Sequence, residues 1–492
     1  MKNILLFAVF VIIFNAEYLF SQDTLKKVNA QVEAATYIST NNSMPFWLRS
    51  NQYGEIPIQS NVFSLRAQLE KEYHQNDFKN IKLSRLTYGY KIRGVINAGN
   101  SNQFILSEIY FKTKFKSAEF YIGRKREVFG ITDTTLSAGT FIWSGNALPI
   151  PKVQISIPNY VPIFKNKLIS IKGSFSHGVM GSADSTQNIL LHQKSLYVKI
   201  GKPSWNMNVH VGINHQAQWG GKPTNPFIQK GTNQIITDYP SNLKTYWYVL
   251  SGISPIGSDK SFIVDDGGRL ANHIGTIDFA VEYNEQLANI LFYKQYPYDK
   301  GNISTLYKIS DGVYGVSINR KQVINGIIKV NFEYLNTTNQ GISSAYKLTT
   351  IVEHKRQNDY FNNVTYKDGW AYKGNIIGSP FLMPIKDSAY LLNLFNNNIS
   401  KISPNYILNN RVRALTIGIE SKIKTIGLRT RISLSDNLGN YTYTPIAVKQ
   451  LSIQQQIVVP VKKYFVSTNI GYDNSGLLNS NLGFILMVKR SL

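Results

Sequence analysis

The stretch from Arg411 to Leu434 restricts the possible folds more than any other. In TIGLRTRISL, Ile426, Leu428, Ile432 and Leu434 take every second position, with Thr430 in the same series. Thr425, Gly427, Arg429, Arg431 and Ser433 fill the positions between. Just before it, Leu415, Ile417 and Ile419 alternate with Ala414, Thr416, Gly418 and Glu420. A period of two is the signature of a strand with one apolar and one polar face. An amphipathic helix would space its apolar residues three and four apart. The link SKIK, Ser421 to Lys424, is short enough to join the two strands antiparallel. One hairpin is marginal in water, so it needs neighbouring strands. Their apolar faces must then meet either one another, as in a sandwich, or lipid, as in a barrel.

The same alternation recurs along the chain. A weak first strand runs from Asn29 to Thr40, and further strands are expected at Val62 to Tyr73, Ile81 to Asn97, Gln103 to Phe115 and Glu119 to Arg126. Others follow at Lys167 to Val179, Lys194 to Ile200, Asn206 to Gln216, Gly275 to Tyr283, Ala288 to Gln295, Gly312 to Arg320, Gly326 to Leu335 and Ala345 to His354. Leu451 to Val459, Lys462 to Tyr472 and Asn481 to Lys489 complete the series. Asn206 to Gln216 is the clearest, with Met207, Val209, Val211 and Ile213 on one face and only polar residues and Gly212 on the other. Roughly eighteen strands result, many near the nine to eleven residues that a tilted strand needs to cross lipid. Long strands joined by alternating short and long links fit a closed transmembrane antiparallel β-barrel better than a soluble sandwich. The fold class is therefore all-β, with the short links as periplasmic turns.

Four stretches break the rhythm. Ser43 to Pro57 (SMPFWLRSNQYGEIP) reads as a structured loop. Ile131 to Pro162 is rich in glycine and proline around Trp143, and its prolines argue against a regular central strand. It is expected to fold as an insert in the lumen or at the barrel mouth. Trp219 opens a long loop to about Leu243, followed by the aromatic stretch Lys244 to Ser254, read as lying at a membrane interface. Gln357 to Asn410 is irregular again. A lumen partly plugged by such inserts is the expected interior.

Composition agrees. The chain has no cysteine, which excludes disulfides, thiolate metal sites and cysteine nucleophiles. Lys2 followed by ILLFAVFVIIF, Ile4 to Phe14, reads as a secretory signal over residues 1–21, with cleavage at Ser21-Gln22. Residues 22–492 are then one outer-membrane barrel domain with no helical span. The 30 Tyr and 25 Phe suit aromatic girdles. The net charge of +24 favours anionic partners such as acidic polysaccharide or lipid phosphate. A secreted address argues against nucleic acid.

No catalytic or metal motif stands out. The histidines at 74, 177, 192, 210, 215, 273 and 354 form no HExxH or similar spacing, and no GxSxG elbow is present. GRKREVFG, Gly123 to Gly130, lacks the order of a phosphate loop and reads as a basic strand end and turn. No cofactor is implied. The polar faces place Glu108, Lys112, His210, Asp278, Glu282, Glu333, Arg413, Arg429 and Arg431 toward the lumen. There they either pair within a plugged interior or line a path for sugars or anions. Trp47, Trp143, Trp219, Trp247 and Trp370 lie in or beside the irregular segments, where aromatic rings stack on sugars or pack a plug.

Four segments carry a resemblance. MPFWLRSNQYGEIP (Met44 to Pro57), YIGRKREVFG (Tyr121 to Gly130), SGNALPIPKVQISIPNY (Ser144 to Tyr160) and the stretch from Arg356 to Phe381 resemble the Wzi family of capsule assembly proteins, most closely its Bacteroidetes branch. The resemblance runs from about Gln31 to the C-terminus. It implies an eighteen-stranded, plugged outer-membrane barrel that acts as a lectin-like factor, tying exported capsular polysaccharide to the cell surface without catalysis. It carries over no catalytic residue. Candidate ligand-binding residues are Trp47, Arg49, Arg124, Trp143, Trp219, Arg269, Arg356 and Trp370. The expected partners are capsular or other acidic surface polysaccharide and outer-membrane lipid, with the protein acting as a monomer. The rival reading is a porin or oligosaccharide channel with an open lumen.

Overall fold

The structure is a computed structural model that describes residues 28–73, 86–228, 235–255, 269–299, 309–340, 358–394, 406–441 and 446–492. Among the described residues, eighteen strands form one closed antiparallel barrel. They are β1 Asn29–Ser39, β2 Val62–Lys71, β3 Thr87–Gly99, β4 Gln103–Phe115, β5 Ala118–Arg124 and β6 Lys152–Pro162. Then come β7 Ile169–Gly181, β8 Ile189–Ile200, β9 Met207–Trp219, β10 Asn272–Asn284, β11 Ala288–Asp299 and β12 Gly312–Arg320. The last six are β13 Gly326–Asn336, β14 Val412–Ile423, β15 Ile426–Asn437, β16 Val448–Val461, β17 Tyr464–Asp473 and β18 Asn481–Ser491. Each strand pairs with its neighbours in sequence, and β18 returns to β1 with Leu486 opposite Thr36. No backbone edge is left open, which is what a lipid environment demands of a sheet.

The alternation read from the sequence is the inside–outside pattern of this wall. In β14, Val412, Ala414, Thr416 and Gly418 are buried toward the lumen, while Leu415 and Ile417 are exposed on the outside. Phe104, Phe279, Phe292, Phe332, Leu434 and Leu486 extend the same outward band. So much exposed apolar surface is a liability in water and the natural covering of a wall that faces acyl chains. Thr430 falls within this band. Its hydroxyl donates to Gln455 Oε1 at 2.6 Å across β15 and β16, so neither group needs a water partner.

The links differ at the two ends. One end carries both chain ends of the barrel and tight turns such as Lys116–Ser117, Lys424–Thr425 and Lys462–Lys463. The other carries the long links 40–61, 125–151, 220–271 and 337–411. Short turns mark the periplasmic end of such barrels and long links the extracellular end. The link 100–102 is short but belongs to the outer end.

Several local expectations need correction. The prolines of 149–162 do not exclude a barrel strand, because Lys152–Pro162 is β6. The register against β7 shifts between Ile157 and Val161, so Pro158 sits in a bulge where no ladder donor is required. The insert is thus 125–151. The SKIK link is tighter than its four residues, since β14 runs to Ile423 and β15 resumes at Ile426. Arg413 is on the outward face with Leu415, not in the lumen. Lys244 to Ser254, read as an aromatic stretch at a membrane interface, is largely helical, over Leu243–Ser251. The strand expected at Ala345 to His354 lies outside the described residues, as does the signal expected over 1–21.

Candidate functional site

The outer links turn back into the lumen and form a plug. The first, 40–61, contains the one-turn helix α1, Phe46–Arg49, whose Phe46, Trp47 and Leu48 are all buried. The second, 125–151, contributes Phe129, Phe141, Ile142 and Trp143 to the same apolar core. The strap 358–394 adds Tyr360, Phe361, Tyr366, Trp370 and Phe381. The rings meet edge to face: Trp47 and Phe381 at 5.7 Å, Phe129 and Trp143 at 5.7 Å, and Trp143 and Trp370 at 6.0 Å. Such geometry adds modestly to the burial of these five large side chains.

Irregular backbone inside a barrel leaves N–H groups without a ladder, and the wall supplies their acceptors. Asp473 of β17 accepts from Phe46 N at 2.8 Å. Asp278 of β10 accepts from Ile131 N at 3.1 Å, and Gln295 of β11 accepts from Phe141 N at 2.7 Å. Glu333 of β13 accepts from Ala138 N at 2.5 Å and from Ser137 Oγ at 2.7 Å. Ser433 of β15 accepts from the Trp47 indole at 2.9 Å, and Arg431 lies 4.6 Å from that ring. Where the plug meets the wall most closely the wall has glycine. A Cβ on Gly418 would stand 2.7 Å from Leu136 Cβ, and one on Gly471 would stand 2.6 Å from Leu48 Cγ.

One carboxylate ties the first insert to the wall and to the second insert. Glu55 accepts from Arg93 Nε at 2.9 Å, faces Arg66 Nε at 3.8 Å and is bonded to Arg126. Arg93 also bonds Glu33 at 3.0 Å, and Arg126 approaches Glu108 at 3.5 Å. Burial pushes the Glu55 pKa up, but the attraction of Arg126, Arg93 and Arg66 outweighs it and holds the value at about 2. GRKREVFG is accordingly the end of β5 and the root of the second insert. Its Lys125 pairs with Glu119 at 2.7 Å and its Glu127 with Lys152 at 2.8 Å.

The candidate ligand residues divide into separate groups. Trp47, Trp143 and Trp370 are buried in the plug, with the Trp370 indole donating to Ile142 O at 2.8 Å. Arg49 follows Trp47 in α1, partly buried within the field of Asp387 and Asp473. Arg124 donates to Leu106 O at 3.1 Å and to the Tyr372 hydroxyl at 3.0 Å. Trp219 and Arg269 belong elsewhere, on the outer rim. There the helix α2, Leu243–Ser251, is capped by Asn242 and packs Val249 against Trp219 and Ala271. Arg269 donates to Gly252 O at 2.8 Å, just past the helix end. Arg356 lies outside the described residues.

Sequence reasoning missed the exposed lysines on these links and noted Trp247 only as a ring beside an irregular segment. Lys222, Lys244, Lys367 and Lys373 are exposed, as is Trp247 of α2 at 61%. In the sequence Lys222 follows Gly221, Lys367 follows Tyr366, Lys373 lies between Tyr372 and Gly374, and Lys244 stands two residues before Tyr246; such neighbours do not separate a plug from its surface. Among the described residues the wall contains hollows. One of about 540 Å³ lies among Phe279, Phe292, Phe332, Tyr334, Leu415 and Ile417, on the lipid-facing side. Another, about 270 Å³, is polar and lies between the root of the second insert and β5–β8, where Lys125, Arg126, Lys172, Gln154 and Tyr197 line it. Among the described residues no three His, Asp or Glu side chains come together as a metal site. His215 and His273 meet at 2.9 Å, but as a hydrogen-bonded pair.

The barrel resembles solved outer-membrane proteins. These include the anion-selective porin from Comamonas acidovorans, with 9% identity and a TM-score of 0.37, covering 94% of this chain and 98% of that one. OccK5 (OpdH) from Pseudomonas aeruginosa has 9% identity and a TM-score of 0.45, covering 95% and 98%. A loop-deletion form of OmpT from Vibrio cholerae has 8% identity and a TM-score of 0.35, covering 94% and 99%. Likeness at this level says nothing about what the present chain binds. No curated protein matches it significantly. Residues 26–456 match the family model described as capsule assembly protein Wzi, a span that takes in both lumenal inserts, the strap, β1 to β15 and most of β16. A closed eighteen-stranded wall with an apolar exterior, filled from its outer end and matched over that span, belongs to the Wzi family of capsule assembly proteins of the bacterial outer membrane.

Proposed function

We propose that this protein binds acidic capsular polysaccharide on the outer side of its plugged barrel and holds it at the cell surface, without catalysis and as a single barrel. The observation that carries the reading is the plug. Inserts bonded to β10, β11, β13, β15 and β17 support reading the barrel as a rigid platform instead of a conduit. In this reading Trp47, Trp143 and Trp370 hold the platform together. Lys222, Lys244, Lys367, Lys373 and neighbouring amides meet the polymer, with Trp247 offering a ring face. Each contact is worth about 1 kcal/mol net, so retention depends on many engaged along one chain.

The test is planar-bilayer conductance of the purified protein, paired with retention of surface polysaccharide from the same cells. Little conductance together with retention that weakens as salt rises is the expected result. Large, stable conductance unaffected by polysaccharide would favour the channel reading instead. Loss of retention in a Lys222→Glu, Lys244→Glu, Lys367→Glu, Lys373→Glu variant that still folds would assign the contact to the outer links.

A further inference from the structure

The basic excess of this chain has a second location, at the periplasmic rim. There the tight turns repeat one pattern, an outward apolar residue followed by lysine: Phe115-Lys116, Phe164-Lys165, Ile423-Lys424 and Val461-Lys462. The apolar members are exposed, Phe115 at 47%, Phe164 at 56%, Ile423 at 54% and Val461 at 47%, and each lysine is exposed beside its partner. On the described inner links the exposed carboxylates are Glu72 and Glu285, and Glu72 is paired with Lys112 at 2.6 Å.

Backbone conformation makes these lysines informative. Lys116, Lys424 and Lys462 have φ of 52°, 55° and 53°, and Lys167, next in the 163–168 turn, has 56°. Left-handed backbone disfavours a residue with a long side chain and favours glycine, asparagine or aspartate. Four separate turns hold lysine where the backbone alone would select one of those. What the four share is a positive charge on the rim, in a turn that also carries an exposed apolar residue followed directly by lysine.

We infer that the periplasmic rim is a basic collar that binds the anionic head groups of inner-leaflet phospholipids. The depth of the two side chains specifies this partner. Phe115, Ile423 and Val461 continue the acyl-facing band of the wall, so the adjoining ammonium groups fall at the level of lipid phosphates. A soluble acidic polymer would have no use for the apolar half of the pattern. Lysines near a charged bilayer surface contribute separately, and the attraction fades beyond a screening length.

The full-length protein would be reconstituted in phosphatidylcholine vesicles with spin-labelled phosphatidylglycerol or spin-labelled phosphatidylcholine as probe. The motionally restricted signal reports lipid held at the wall. A preference for the glycerol lipid of about fivefold, the effect of one well-placed charge, is expected at low salt and should fall as salt is raised. The variant Lys116→Asn, Lys167→Asn, Lys424→Asn, Lys462→Asn keeps residues that suit the turns, so it should fold at least as well and lose the preference. Equal retention of both probes by the unmodified protein would overturn the collar, as would a preference that survives in the folded Asn variant. So would binding of a soluble acidic polymer to the detergent-solubilised protein that the same four changes abolish. Retention of capsular polysaccharide should be the same in both proteins, which separates this result from the outer-face reading.

Discussion

Trp47 shows how a residue that invites a binding role serves structure instead. Its ring is fully buried, its indole N–H is satisfied by Ser433, and Arg431 covers its face. Trp47→Ala should cost about 3–5 kcal/mol, and the loss should fall on the first insert, because the ladder pairs of β15 are backbone bonds. Limited proteolysis within 40–61, with the barrel bands unchanged, is the measurement. Glu55 is the other instructive residue. Its folded pKa of about 2 lies below the ordinary 4.5, so its contribution is fully present above about 4.5 and is lost as pH falls through about 2. The unmodified protein should therefore lose thermal stability between pH 5 and pH 2 through this group. Glu55→Gln should be less stable at pH 7, since Arg66, Arg93 and Arg126 then face no carboxylate there, and its melting temperature should vary less across that window.

At the scale of elements, the hairpin β14–β15 separates wall from plug. Gly418 and Gly427 both fall on the polar face of the sequence pattern. Gly418 abuts Leu136, whereas a Cβ on Gly427 would find its nearest neighbour, Val458, at 3.9 Å. Gly418→Leu should displace the second insert at about 1–3 kcal/mol, while Gly427→Leu should be tolerated. Protease susceptibility of 125–151 in the two variants distinguishes them, and equal behaviour would mean that the insert does not rest on this wall. The same hairpin was legible in the sequence almost residue for residue, because one apolar and one polar face per strand leave little choice of register. β6 was not, since its prolines read as a break and only pairing with β7 reveals that Pro158 sits in a bulge. α2 was missed for a related reason. Its nine residues are aromatic-rich and carry no clean helical stripe, and the surface that makes them a helix is the outer rim at Trp219 and Ala271.

At the scale of the whole molecule, wall and plug are separable in cause. The wall is held by backbone pairing around a closed ring and by lipid outside. The plug is held by side chains that the wall points inward. Replacing 128–149 with a short glycine–serine link should therefore leave a barrel that still migrates as a folded species without heating, and should raise its bilayer conductance well above that of the unmodified protein. A variant that stays silent would show that 40–61 and the strap 358–394 close the lumen without the second insert.

The sequence alone determined the architecture and its address: period-two alternation, repeated along a cysteine-free chain rich in tyrosine and phenylalanine, admits a membrane barrel, and long segments resembling capsule assembly proteins give it a family. Those are properties of local patterns, and local patterns are what a sequence displays. Only the tertiary structure decided that the tryptophans at 47, 143 and 370 are core, that Arg413 points outward, and that lysines mark the periplasmic turns. Each of these depends on which distant segments meet, or on which end of a strand a link joins, and no spacing along the chain encodes that.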